Sequence, residues 1–213
     1  MEYSHGKRFD SRDRRDAFRK PSPKEEHAII LDFLPNGYPL SNIPSYKKRA
    51  IAQAVGVDYF TLLELSPKKD HSISLGEKVY IGQDEREKIE VIVGRVNYSK
   101  LTATARSELN HVLLELVKNN RPKFVEFFNK AGPLSMRMHS IELIPGIGKK
   151  VMWDIVEERK DKPFESFEDM HSRVEHLPEL ETAIVKRIVV ELEGKDKHNL
   201  FTRGQSSPNE RER

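Results

Sequence analysis

His139-Ser140-Ile141-Glu142-Leu143-Ile144-Pro145-Gly146-Ile147-Gly148-Lys149-Lys150-Val151-Met152-Trp153-Asp154-Ile155-Val156 reads as a short helical segment, a Pro-Gly-Ile-Gly turn and a second helix. Val151, Met152, Ile155 and Val156 give that second helix one apolar face. Gly146 and Gly148 permit positive φ and let another backbone come close. Ile147 between them is placed to plug the gap between the two helices. The turn leaves consecutive backbone N–H groups free at the start of the second helix, where the helix dipole is positive, and a phosphate fits there. Lys149 and Lys150 stand against the dipole in the first turn, a small cost that an anion nearby would offset. The competing reading is an αα-hairpin that uses glycine only to turn tightly.

A weaker copy of the same pattern follows 33 residues later. Ile144-Pro145-Gly146-Ile147-Gly148 aligns with Leu177-Pro178-Glu179-Leu180-Glu181. Val151, Met152, Ile155 and Val156 then align with Ile184, Val185, Ile188 and Val189. The apolar skeleton persists while both glycines become glutamate, so two hairpins would stack as a helical unit of which only the first could take a phosphate. Between them, Ser166 followed by Asp169 marks a helix start at Phe167.

Working back toward the N-terminus, the helical period continues. Leu109, Val112, Leu113, Leu116 and Val117 line one face over two turns. Pro122 suits the first position of a new helix, whose stripe is Phe124, Phe127, Phe128 and Ala131 and whose stop is Gly132-Pro133. That aromatic stripe has the character of packing rather than of a base-stacking platform. Before residue 100 the pattern is β-like. His27-Ala28-Ile29-Ile30-Leu31-Asp32-Phe33-Leu34 reads as a buried strand ended by Pro35-Asn36-Gly37. Residues 35–50, with three prolines, read as a long loop or short helix, and 57–65 as a strand stopped at Ser66-Pro67. Two more strands are expected over 77–82 and 88–93, the last with Ile89, Val91 and Val93 on one face. Four or five short strands in so short a stretch suggest a small barrel, an OB-fold before an SH3-like one.

Composition bounds the functional classes. The 213 residues contain no cysteine, which excludes disulfides, thiolate metal sites and cysteine nucleophiles. No apolar stretch approaches the roughly 18 residues of a membrane helix, and residues 1–24 lack an apolar signal core, so a soluble, cytoplasmic protein without membrane partners is expected. The net charge of +3 is unevenly spread: residues 1–24 hold eight Lys/Arg against four Asp/Glu, 203–213 hold three against two, and 25–202 hold 26 against 28. Both tails read as disordered by composition. Lys7, Arg8, Arg12, Arg14, Arg15, Arg19 and Lys20 form either an electrostatic arm or a solubilising tail. In the body, Lys47, Lys48 and Arg49 with Arg95 make a secondary basic patch. Residues 134–193 carry nine basic and thirteen acidic side chains, so any grip there must be local.

Leu143-Ile144-Pro145-Gly146-Ile147-Gly148-Lys149-Lys150 resembles the helix-hairpin-helix motif of DNA repair and DNA uptake proteins. Pro163-Phe164-Glu165-Ser166-Phe167-Glu168-Asp169-Met170 resembles the linker to the second hairpin of its tandem versions. Over residues 25–203 the chain resembles an archaeal domain-of-unknown-function family with a proposed nucleotide- or nucleic-acid-binding role. The matching stretches are Tyr59-Phe60-Thr61-Leu62-Leu63-Glu64, Gly76-Glu77-Lys78-Val79-Tyr80-Ile81-Gly82, Phe124-Val125-Glu126-Phe127-Phe128-Asn129-Lys130-Ala131-Gly132-Pro133 and Leu200-Phe201-Thr202-Arg203. The resemblance implies an α+β multidomain chain: an N-terminal OB-like β-barrel, then an all-α helix-hairpin-helix domain with one intact and one degenerate hairpin. The expected division is a disordered basic arm at 1–24, the barrel at 25–100, connecting helices at 101–133, the helix-hairpin-helix domain at 134–202 and a disordered tail at 203–213. It implies no reaction and no cofactor. Gly146, Ile147, Gly148, Lys149 and Lys150 carry over as phosphate contacts, while the degenerate second hairpin removes support for two-strand clamping.

The histidines show no HExxH or paired zinc spacing, and GxxxxGK[ST] is absent. Asp154, Glu157, Glu158 and Asp161, with Glu165, Glu168 and Asp169, could be drawn as nuclease metal ligands, but beside lysines and arginines at helical spacing they read as solvated faces. The expectation is therefore a non-catalytic protein that binds the RNA or DNA backbone. The alternatives are an interaction adaptor, whose protein partner would use the acidic helical domain, and a nuclease subunit.

Overall fold

The apolar run at 27–34 becomes an interior strand of a five-stranded sheet. In the computed structural model, which describes residues 24–39, 44, 49–69 and 71–203, the strands are β1 (His27–Leu34), β2 (Ile51–Gly56), β3 (Leu62–Pro67), β4 (Lys78–Tyr80) and β5 (Ile89–Arg95). They run in the order β4-β1-β2-β3-β5, every pairing antiparallel. The sheet curls into a half-barrel whose edges are β4 and β5; among the described residues these two strands do not pair, so the expected barrel is open on that side. Ladder shifts at Ile30/Asp32 in β1 and at two points of β3 supply the curl, since an extra residue in one strand bends it and increases its twist.

Two strand expectations are corrected. The segment 57–65 is not one strand: β2 ends at Gly56, a turn occupies 57–60, and β3 starts at Leu62. The turn holds Phe60 at φ 55°, left-handed backbone that a bulky side chain adopts only under constraint. That constraint is Glu25, whose buried carboxylate accepts the N–H groups of Asp58 (2.9 Å), Tyr59 (3.1 Å) and Thr61 (3.1 Å). In β5 only Ile89 is buried; Val91 and Val93 are exposed on an edge strand.

Five α-helices follow among the described residues: α1 (Ala103–Asn119), α2 (Arg121–Lys130), α3 (Lys149–Asp161), α4 (Phe167–Arg173) and α5 (Leu180–Leu192). Thr102 caps α1 by accepting from the Ala105 N–H at 3.0 Å, and its hydroxyl donates to Asp32 at 2.5 Å, which fixes the helix start to the bulge of β1. Pro122 takes the second position of α2 rather than the first. The C-terminal half is not all-α: Pro133–Ser135 and Met138–His139 pair as β6 and β7 ahead of a 3₁₀ turn at Ser140–Leu143. One core runs through sheet and helices, with Leu31, Val55 and Leu62 packed in the same apolar cluster as Leu109, Ile155 and Ile184.

A second buried carboxylate anchors the other end of the chain. Glu191 of α5 accepts the N–H groups of Leu200 (2.8 Å), Phe201 (3.1 Å) and Thr202 (2.8 Å) and pairs with buried Arg187 at 2.8 Å. Arg187 also meets Asp196 at 2.8 Å and the His198 carbonyl. Phe201 lands edge-on against Phe124 and Phe127. Glu191→Ala would remove one of the two carboxylates that face buried Arg187 and orphan three amides, so it is expected to lower unfolding free energy by about 3–5 kcal/mol in a denaturant titration. Arg187 and the His198 N–H hold the Asp196 carboxyl down from 3.8 to about 2. The folded value lies below the unfolded one, so its contribution is complete above about pH 4 and is lost as pH falls through about 2. In Asp196→Asn that acid limb of the stability profile should shrink.

Candidate nucleic-acid interface

The loop at residues 144–148 is built from the core outward. Ile141, Ile144 and Ile147 are buried, and the Ile147 N–H closes the turn onto the Ile144 carbonyl at 3.0 Å. Gly146 sits at φ +92°, where its missing side chain is required twice over. The backbone is left-handed, and a Cβ there would stand 3.0 Å from the Pro178 Cβ. Pro178 belongs to the loop between α4 and α5, so the two loops pack directly on each other. Each is preceded by a short helical turn and followed by a thirteen-residue helix, which gives the 33-residue repeat a physical form. The copy is offset: α5 starts at Leu180, two residues before the position equivalent to Lys149.

Gly148 differs from expectation. Its φ is −85°, which any residue adopts, and a Cβ on it would meet nothing within 4 Å. It is the N-cap of α3 and makes no side-chain capping bond; its carbonyl accepts the Met152 N–H at 2.9 Å. The first-turn N–H groups of Lys149, Lys150 and Val151 therefore have no helical acceptor and no cap. Gly148, Lys149 and Lys150 are exposed, and neither lysine forms an ion pair with a described residue. No intramolecular contact requires glycine at 148, and the open space in front of it is continuous with uncommitted donors.

Trp153, passed over by the sequence reading, is 58% exposed. It follows Lys149 by four positions and Lys150 by three, so it shares their helix face. The signal was present: Met152 and Ile155 define the buried face, and 153 falls off it. An exposed indole beside two uncommitted ammonium groups and three free amides can stack on a planar group while the amides hold an anion.

The second loop is filled by its own anions. Glu179 is the N-cap of α5, and Glu181 in the first turn is buried and pairs with Arg121 at 2.6 Å. The hydrogen bond from Glu179 to its neighbour Glu181 and the repulsion between them hold the Glu179 carboxyl above its usual range. Five of the seven acidic side chains in the two clusters of the helical half are likewise engaged, Glu168 with Arg121 at 2.8 Å. Glu157 pairs with Lys160 (2.7 Å), Glu165 with Lys162 (2.8 Å), and Glu158 and Asp169 with Arg173 (3.3 and 3.4 Å). Among the described residues, no three His, Asp or Glu side chains gather in a metal-holding group.

Of the secondary basic patch, Arg49 and Arg95 lie among the described residues. Lys47 and Lys48 lie outside the described residues, as do 1–23 and 204–213. Arg49 is exposed just before β2, whereas Arg95 ends β5 opposite Leu63, which pairs with Ala54 of β2. Ile51 to Ala54 alone is about 10 Å along the strand, with two inter-strand spacings across the sheet besides. Arg95 instead lines a cleft of ≈ 1090 Å³ between the edges β4 and β5, with Tyr59, Tyr80, Arg86 and Arg203.

A family model described as protein of unknown function (DUF655) matches residues 24–203. The chain belongs to that family. It is 44% identical over 186 residues to the uncharacterized protein MJ0038 of Methanocaldococcus jannaschii, covering 86% of this chain and 82% of that protein. The crystal structure of Af1531 from Archaeoglobus fulgidus, of the same family, has 43% identity and a TM-score of 0.76, covering 84% of this chain and all of that one. The family expectation from the quoted stretches therefore holds. No described helix is long and apolar enough to cross a membrane.

The two glycines should separate in a stability measurement. Gly146→Ala forces a side chain onto left-handed backbone against Pro178 and is expected to cost about 1–2 kcal/mol. Gly148→Ser supplies the missing cap and should leave the thermal midpoint unchanged or raise stability by about 0.3 kcal/mol.

Proposed function

We propose that this is a non-catalytic nucleic-acid-binding protein in which residues 146–150 grip backbone phosphates without sequence preference. The half-barrel, read as OB-like, takes a single-stranded or structured stretch of RNA or DNA. On this reading the two stacked loops are a helix-hairpin-helix pair, the first competent and the second a structural copy. The observation that carries the reading is the open first turn of α3: a glycine without a steric reason, three uncapped amides and two lysines free of carboxylates. Phosphate oxygens accept amide N–H groups and face the positive end of the helix dipole, while the lysines supply the charge that the dipole alone does not. Glu181 and Arg121 occupy the equivalent place in the copy, so one strand is held at one point rather than clamped at two.

The second reading is the protein-interaction adaptor. It is favoured by the acidic surplus of 134–193 and by Met136, fully exposed at the tip of the β6–β7 hairpin with Leu134 beside it.

Affinity for a fluorescent single-stranded oligonucleotide should fall steeply with salt, with a slope of about −0.7 per phosphate contact. Lys149→Gln with Lys150→Gln should flatten that slope by about 1.4, and Gly148→Glu, which brings in the copy's carboxylate, should weaken binding with the fold intact. Wild-type affinity in Gly148→Glu would make the loop structural only. Failure to bind any nucleic acid at low salt would favour the adaptor.

A further inference from the structure

Trp153 is the chain's only tryptophan and, among the described residues, the only exposed aromatic side chain. It forms no ring stack, no cation–π contact and no hydrogen bond with a described residue, so its ring and its N–H are uncommitted. An indole left in water forgoes the burial that makes tryptophan a residue of cores and interfaces. A helical side chain leans toward the N-terminus and covers the turn before its own Cα. For Trp153 that turn is the open start of α3, which carries Lys149 and Lys150 and no acidic residue. The nearest carboxylates in sequence are those of Asp154, which forms no ion pair with Lys150, and Glu157, one turn further on and paired with Lys160 at 2.7 Å.

The copy 33 residues later supplies an internal comparison. Its apolar positions repeat those of the first unit, but its outward positions do not. Where the first unit has Gly146, Gly148, Lys149, Lys150 and Trp153, the copy has Glu179, Glu181, Thr182, Ala183 and Lys186. Packing explains the positions that are kept. The indole departs together with the glycines and the lysines, so it belongs with the outward set that distinguishes the two loops. Along the helix axis, Lys149 and Trp153 are separated by about 6 Å, a distance that one nucleotide bridges between its phosphate and its base.

We propose that Trp153 is a base-stacking platform, and that the start of α3 takes an unpaired nucleotide whose base lies on the indole while its phosphate meets the first-turn amides beside Lys149 and Lys150. This rests on the phosphate reading above and adds which strands that site accepts. In a duplex both faces of every internal base are covered by its neighbours, and only the backbone and the groove edges are presented. A single strand can turn a base outward onto an aromatic ring, and every base has a π-face to offer. The phosphate contact alone does not distinguish the two forms; the indole does. It favours unpaired strands without favouring a sequence, and it does so at α3 whether or not the half-barrel engages the same strand.

Because the chain has no other tryptophan, the indole reports on itself. Full-length protein is titrated at low salt with oligo(dT), oligo(U) and a DNA duplex of the same length, with tryptophan emission and anisotropy followed together. The single strands should quench the emission saturably, on the same isotherm as the anisotropy, and the tighter of the two distinguishes DNA from RNA. The duplex should leave the emission unchanged. Trp153→Ala should weaken single-strand binding about tenfold and Trp153→Phe about threefold or less, with duplex affinity altered less than about twofold in both. On an abasic oligonucleotide, wild type and Trp153→Ala should bind equally, which separates a lost stack from a folding defect. Unquenched emission during saturable binding, with wild-type affinity in Trp153→Ala, would overturn the stacking assignment. The phosphate reading would still stand if Lys149→Gln with Lys150→Gln flattened the salt slope. Equal quenching by the duplex would overturn the preference for unpaired strands, and absence of binding to all three would overturn both readings.

Discussion

The close approach of Gly146 to Pro178 is the contact on which the candidate site depends. It sets the two helix–loop–helix units back to back and turns Ile147 inward to fill the space between them. Two residues later the chain must enter α3, and with Ile147 committed to the core, Gly148 and the first turn can only face outward. The exposure of the three amides is thus a consequence of packing on the other side of the loop. The same arrangement in the copy leads to the opposite outcome, because Glu181 turns into the protein and finds Arg121. Neither helix start has a side-chain cap, but the copy's first turn carries a buried, ion-paired glutamate where the first loop has exposed glycine and lysines.

Buried carboxylates do the comparable work elsewhere. Glu25 and Glu191 each gather three backbone N–H groups from segments without regular structure, one at each end of the described chain. A carboxylate in such a setting is stabilised by charge-assisted bonds and leaves no lone pair unsatisfied. Both anchors pull a terminus toward the turn at 57–61, so the edge of the half-barrel and the C-terminal strap share one rigid element. This explains why Leu200-Phe201-Thr202-Arg203 has a defined place although it belongs to no helix or strand: Glu191 fixes its backbone, Phe201 fills the aromatic cluster around Phe124, and Arg203 is delivered onto Tyr59.

Local periodicity carried much of the fold. The stripes Leu109–Val112–Leu113–Leu116–Val117 and Phe124–Phe128 are buried where the 3.6-residue period puts them, and Ser166 caps α4 through the Asp169 N–H. Residues 57–65 failed because their β-propensity is overridden by a carboxylate more than thirty positions away, and propensity contains no term for Glu25. Val91 and Val93 alternate as a strand should, yet the face they share is open, since alternation does not say which side is covered. At the candidate site, the sequence marked the loop but assigned both glycines the same role. Only the backbone angles separate Gly146, bound to be glycine by its neighbour, from Gly148, which is not. Of the secondary patch, register places Arg49 and Arg95 far apart, and the basic residues that line one cleft with Arg95 are Lys24, Arg86 and Arg203.

The central claim is that the uncapped first turn of α3 holds a phosphate. It is tested most directly by following the backbone amide resonances of ¹⁵N-labelled protein during titration with a short single-stranded oligonucleotide at low salt. Gly148, Lys149, Lys150 and Val151 should shift downfield together and saturate on the same isotherm as the bulk binding, while the amides of Leu180 and Glu181 in the copy stay in place. Saturable binding that leaves those four amides unmoved would contradict the account.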